Sequence, residues 1–313
     1  MGWRLWTVKN SLECELVTAG AVQTSYDRHM TIALTGSSGG IGGMVLEKLG
    51  GSPVLIGRDA SKLPAGFEHR EAVYGDGEAM TVALQGVNTL FFVSGRESAT
   101  RLGEHLSVVE SAVAAGVARI VYLSFLGAAA DSTFTLGRHH YFTEEAIRAT
   151  GLDFTFLRDS LYQDYLPFMT GADGVIRGPA GNGRLSAVAR DDVAEVAATV
   201  LREEDAGTHA AATYDVTGPE ALTLAEVAAE LSLASGHPVS FHNETREEAY
   251  ASRAKYNAPP FEVEGWVTSY ESIAVGEMAS VSGDVERVIG RAPRSFAQFL
   301  AAHPESYAHI GAA

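Results

Sequence analysis

Residues 35–42 read TGSSGGIG, four glycines in eight positions, between an apolar run at 31–34 and another at 44–46. A chain built this way leaves a strand, turns sharply and enters a helix. Gly36 permits the tight turn. Gly39 has no side chain, so a ligand can approach the backbone. Gly42 lets the helix pack close to the sheet. The unpaired N–H groups and partial positive charge of the helix start then favour an anion. The spacing therefore predicts a dinucleotide pyrophosphate lying against Gly36, Ser38, Gly39, Gly40, Ile41 and Gly42, with the serine hydroxyls as further donors.

Short apolar runs recur along the chain at 31–35, 53–56, 89–93, 119–123, 154–157 and 213–216. Helix-like stretches lie between them at 40–49, 79–85, 102–116 and 143–150. The run Leu90-Phe91-Phe92-Val93 shows no polar alternation, as expected for a strand covered on both faces. The class is α/β: a Rossmann-type doubly wound parallel sheet with a smaller C-terminal substrate lobe. Residues 30–159 are assigned to the nucleotide-binding domain, with 189–217 returning to it. Residues 160–188 and 218–313 lack the alternating rhythm and form the smaller lobe. Thr223 with Glu226 and Ser295 with Gln298 are capping boxes, and Asp191 or Asp192 is expected to cap a helix over 193–202. Residues 1–29 read as a poorly ordered, dispensable extension, and Met30 could itself be a start.

The net charge of −16 disfavours nucleic acid as a partner. Cys14 is the single cysteine, so no internal disulfide can form, which fits a reducing compartment and a cytoplasmic setting. The apolar stretch 111–130 is broken by Gly116 and Arg119. It reads as a buried helix and strand, with no membrane span. No spacing of His, Cys and Asp reads as a metal site.

The second strand runs into Gly57-Arg58-Asp59. Arg58 suits a 2′-phosphate and Lys62 adds charge, pointing to NADPH over NADH. Asp59 is the opposing feature, since an acidic residue there can hold the ribose of NAD. Asp76, after Val73-Tyr74-Gly75, is placed at the end of a third strand, where it could bond adenine or cap the next helix. Ser94 and Gly95 end the fourth strand and should face the nucleotide.

TGSSGGIG, IGRDASKL, YLSFLGA, His140-Tyr141-Phe142-Thr143-Glu144 and FTFLRDSLY together resemble the NmrA-like atypical short-chain dehydrogenase/reductases. The resemblance is to the NAD(P)H:quinone oxidoreductase and triphenylmethane reductase branch, and it extends over residues 30–303. GNGRLSAVARDDVAEVA and YDVTGPEALTLAEVAAEL resemble it too. It implies NADPH binding and hydride transfer to a quinone-like or other conjugated small-molecule acceptor. Some relatives instead sense the nucleotide without catalysis.

The family's broader superfamily uses a Tyr-x-x-x-Lys pair. Here Tyr141 is followed four residues on by Glu145, which cannot supply the lysine's positive charge, so the usual relay is not expected. A quinone is already electrophilic and needs less help. His140 is the candidate polar contact near the nicotinamide, able to titrate near neutral pH. Ser124, at the end of the fifth strand, is a candidate for cofactor or substrate contact. Phe156 and Leu157 lie where the sixth strand passes the nicotinamide, and Arg158 reads as an ion pair. Tyr162, Tyr165 and Phe168 could form an aromatic wall for a flat acceptor, with Tyr162 also a catalytic candidate. A homodimer is compatible with the sequence.

Overall fold

The computed structural model describes residues 30–202 and 206–311. The extension expected at 1–29 lies outside the described residues.

The first half of the chain alternates strand and helix. It runs β1 (Ile32–Thr35), α1 (Gly40–Leu49), β2 (Val54–Gly57), β3 (Glu68–Glu71), α2 (Gly77–Ala83), β4 (Thr89–Val93), α3 (Arg101–Ala115), β5 (Arg119–Phe125), α4 (Thr135–Thr150) and β6 (Asp153–Asp159). After β7 (Val175–Gly178) and β8 (Arg184–Leu185), α5 (Arg190–Arg202) and β9 (Ala212–Val216) rejoin the sheet. The strand order is β3-β2-β1-β4-β5-β6-β9 and every pairing is parallel. This is a Rossmann-type α/β fold.

Strand pleating sorts the apolar residues into two cores. Leu34, Leu55, Phe91, Leu123 and Leu157 face α1 and α5. Ala33, Ile56, Leu90, Phe92, Tyr122 and Phe156 face α2, α3 and α4. A sheet buried on both sides needs such unbroken apolar strands.

A third core lies beyond the sheet's carboxyl edge. It includes residues of β10 (Leu222–Thr223), α6 (Leu224–Ser235), α8 (Pro260–Ala274) and α10 (Phe296–Ala302). β11 (Ser240–Asn243) pairs with β7 in parallel and β10 pairs with β8 antiparallel; α7 (Arg246–Arg253) and α9 (Asp284–Ile289) complete the elements. Both expected capping boxes form, at Thr223 and Ser295.

Three expectations need correction. The third strand is Glu68–Glu71, earlier than the apolar Val73-Tyr74, and Asp76 is the N-cap of α2, accepting from the Ala79 N–H at 3.0 Å. The helix expected over 143–150 begins eight residues earlier, at Thr135. α5 starts at Arg190, whose N–H is accepted by Asp164 at 3.0 Å. Asp191 and Asp192 therefore sit inside the first turn and do not cap it. Among the described residues, no helix is long and apolar enough to cross a membrane.

Candidate functional site

The turn between β1 and α1 is clamped on one carbonyl. Gly36 has a left-handed φ of 69°. Its carbonyl accepts from the Gly39 N–H at 2.9 Å. A Cβ on Gly42 would stand 2.2 Å from that same oxygen, so only glycine lets the helix come this close. A Cβ on Gly39 would meet nothing nearer than 3.3 Å and would instead fill the space above the turn. Gly39 gives α1 no side-chain cap, and the first turn holds no acidic residue. The helix start is thus left with donors and positive charge for an anion.

Above this turn lies a cleft of about 700 Å³. It follows the carboxyl ends of the strands, from Arg58 after β2, across Gly36–Gly42, past Ser94 and Gly95 after β4, to Leu123 and Tyr162. Ser38, Gly39, Gly40 and Ile41 all line it. So does Tyr74, which the sequence reading passed over; its hydroxyl donates to the Val93 carbonyl at 2.6 Å. The cleft's position at the helix start and its bare backbone floor fit a dinucleotide.

Arg58 is exposed on the rim and makes no ion pair among the described residues. Asp59 is turned to its own loop, accepting from the Ser61 N–H at 3.0 Å and from its hydroxyl at 2.6 Å. Lys62 does not line the cleft; its side chain is 75% exposed and lies 3.4 Å from Asp59.

The residues placed at the far end divide sharply. Tyr162 lines the cleft, and its hydroxyl is hydrogen-bonded to Asp159 Oδ2, the donor being set by whether Asp159 carries a proton. Tyr165 and Phe168 are exposed, and Phe168 stacks on His309, so the three aromatics form no continuous wall. Ser124 is fully buried and donates to Glu144 Oε1 at 2.6 Å. Glu144 also binds Arg158 through both oxygens, at 2.8 and 2.6 Å, so Arg158 is an ion-pair residue. Phe156 and Leu157 point into opposite cores, away from the cleft.

His140 is buried between Arg101 and Tyr122. The Arg101 guanidinium can only donate, so His140 Nε2 accepts at 3.0 Å and Nδ1–H donates to the Tyr122 oxygen at 2.9 Å. By the same logic His105 accepts the Gly95 N–H on Nε2 at 2.8 Å and donates from Nδ1 to Thr143 at 2.9 Å. Arg101 Nε holds the Gly95 carbonyl at 2.7 Å. The two ends of that cleft-lining peptide are thus fixed from beneath. Burial, reinforced by the Arg101 charge, pushes His105 down to about 2 and His140 well below its ordinary value. The expected titration of His140 near neutral pH is therefore corrected: both rings stay neutral.

Arg190 was not singled out by its sequence position as a site residue. Its Nε donates to Asp164 at 2.8 Å, and its Nη1 lies 2.6 Å from where a Gly40 Cβ would be. A cation is thereby brought to the positive end of α1, an arrangement that an anion would stabilise. Asp191, Asp192 and Glu195 do cluster, but Lys48, Arg294 and Arg291 already pair with them.

A parallel sheet with a glycine-floored cleft at its carboxyl edge defines a dinucleotide-binding α/β protein. The chain belongs to the NAD(P)H-binding family whose model matches residues 36–204. It is 33% identical over 279 residues to quinone oxidoreductase 2 of Escherichia coli, covering 85% of this chain and 96% of that one. The E. coli enzyme's structure with NADPH superimposes with a TM-score of 0.80, covering 87% and 99% of the two chains at 31% identity. The triphenylmethane reductase of Citrobacter sp. gives a TM-score of 0.78 at 30% identity over 88% and 99%. A (4-alkanoyl-5-oxo-2,5-dihydrofuran-3-yl)methyl phosphate reductase of Streptomyces griseus is 32% identical, covering 88% and 99%.

Proposed function

We propose that the chain is an NADPH-dependent reductase that passes a hydride to a quinone-like or other conjugated small-molecule acceptor. The observation that carries this reading is the continuous cleft from Arg58, across the bare glycine floor, to Tyr162. Its relatives named as quinone oxidoreductase and as dye reductase support the acceptor class. When bound, the nucleotide supplies the hydride.

The chain's residues bind and orient. The α1 start, with Gly36, Ser38, Gly39, Gly40, Ile41 and Gly42, takes the pyrophosphate, and Arg190 adds its charge. Arg58 takes the 2′-phosphate, since Asp59 is occupied by Ser61. Ser94 and Gly95 position the nicotinamide side, with Arg101 and His105 fixing Gly95 below. Ser124 and His140 act as supports through Glu144 and Tyr122, and Tyr162 faces the acceptor. Residues 30–159 with 189–217 form the nucleotide domain, and 160–188 with 218–313 the lobe closing over the acceptor. The setting we assign is the cytoplasm.

The test mixes protein, NADPH and a panel of quinones, enones and azo dyes and follows loss of reduced-nicotinamide absorbance. Turnover on at least one acceptor is expected. Tight binding of NADPH and NADP⁺ with no turnover on any would refute the reductase and leave a nucleotide sensor.

A further inference from the structure

Hydride transfer to a conjugated carbonyl leaves an oxyanion that needs a proton. Two phenols line the cleft. Tyr74 lies beside the β3 end, and its proton is committed to the Val93 carbonyl. Tyr162 lies across the sheet at the β6 end, and among the described residues its hydroxyl bonds only Asp159.

We propose that Asp159 and Tyr162 form a two-residue proton relay serving the acceptor end of the cleft. This rests on the reductase reading above. Tyr162 is the catalytic donor, and Asp159 is the positioning and recharging residue behind it.

Asp159 is 3% exposed at the last position of β6. Its partners in the sheet are Phe125 on β5 and Val216 on β9, neither of them titratable. Arg158 is on the opposite face of the strand and pairs with Glu144. On the cleft side, Tyr165 follows Tyr162 with ring centroids 5.8 Å apart. On α5, Arg190 is already paired with Asp164. No cation pairs with the Asp159 carboxyl among the described residues. A buried carboxyl without a counter-charge keeps its proton, and burial pushes this one up to about 8.

One phenol carries one hydrogen, and its direction follows the state of Asp159. A protonated Asp159 donates to the Tyr162 oxygen, which frees the phenolic hydrogen to point into the cleft. An ionised Asp159 takes that hydrogen for itself. Below about pH 8 the relay is loaded; above it the donor is turned away.

The step balances. The acceptor gains a hydride at carbon, and its carbonyl π electrons move to oxygen. The Tyr162 O–H bond breaks as the acceptor O–H bond forms. The Asp159 O–H bond then breaks to restore the phenol. After the product leaves, solvent entering the cleft returns a proton through Tyr162 to Asp159. The acceptor is reduced by two electrons and the nucleotide is oxidised by two.

The test compares wild type, Tyr162→Phe and Asp159→Asn, each first shown to bind NADPH. With an enone, Y162F should lower kcat about 100-fold, the range for losing a general acid. With a reactive quinone the loss should be about tenfold or less. Wild-type kcat should fall above about pH 8, and D159N should lack that limb. Infrared difference spectra of nucleotide-free protein between about pH 7 and about pH 10 should show a protonated carboxyl in wild type and none in D159N. Wild-type kinetics in both variants, or no such carboxyl band in wild type, would overturn the relay. Should either variant fail to fold, a wild-type profile flat through pH 8 would overturn it. Failure of wild type to oxidise NADPH with any acceptor refutes the reductase reading itself, whereas turnover unaffected by both substitutions refutes only the relay.

Discussion

At the centre of the cleft the lining is main chain, and Gly36, Gly39, Gly40 and Gly42 come from one turn. At the β6 end the lining is side chain, and Leu123 and Tyr162 arrive from separate segments, backed by Asp159 and, further under the strand ends, by Glu144. The first end depends on the absence of atoms, the second on the placement of polar ones. A backbone cradle thus fails through a single added carbon. A side-chain assembly loses one chemical step at a time.

The largest effect expected is at the turn. Gly42→Val places a Cβ against the Gly36 carbonyl and the Ser37 nitrogen, backbone atoms that cannot swing aside. It should cost about 1–3 kcal/mol or more of stability and abolish NADPH binding, read by thermal melting and fluorescence titration. A variant that binds normally would break the contrast between the two ends.

Next comes Arg58→Ala, expected to weaken NADPH binding by about 1.5–3 kcal/mol, the value of a charged hydrogen bond, and to spare NADH. Equal loss for both nucleotides would mean that Arg58 does not read the 2′-phosphate. A smaller effect concerns acid. His105 is held neutral in the folded protein, so below about pH 6.5 the unfolded chain binds the extra proton. Stability present above that pH is lost as pH falls, by up to about 1.4 kcal/mol per pH unit for each such histidine. His105→Gln should remove one such contribution, with those of His140 and the half-buried His139 remaining, in denaturant melts between about pH 6.5 and 5. The smallest effect is at Lys62→Ala. An exposed, weakly paired lysine outside the cleft should change the NADPH Kd by less than about twofold.

The backbone end was legible because its information is local. A glycine spacing and two flanking apolar runs lie within about twenty residues. The strands of the large sheet were legible for the same reason, except β3, while the short β7, β8, β10 and β11 of the smaller lobe were not. The residues of β3, Glu-His-Arg-Glu, carry no apolar signal, so the eye passes to Val73-Tyr74. The first half of α4 was hidden by Gly-Arg-His-His. The far end resisted because its contacts span the chain: Arg101 meets His140 across 39 residues and Arg190 meets Asp164 across 26. Nothing local in FTFLRDSLY distinguishes the buried Asp159, which has no cation partner among the described residues, from a solvated loop acid. His140 stood out as reactive because histidine usually titrates near neutrality, and only the surrounding burial removes that property.

The charged strand that hid from the sequence reading also closes a route to assembly. β3 is the outermost strand at its side of the sheet. Another polypeptide adding there would have to strip water from Glu68, His69, Arg70 and Glu71 while gaining few apolar contacts in return. Continuous ribbon growth through that margin is therefore disfavoured, and any twin of this chain must meet it elsewhere.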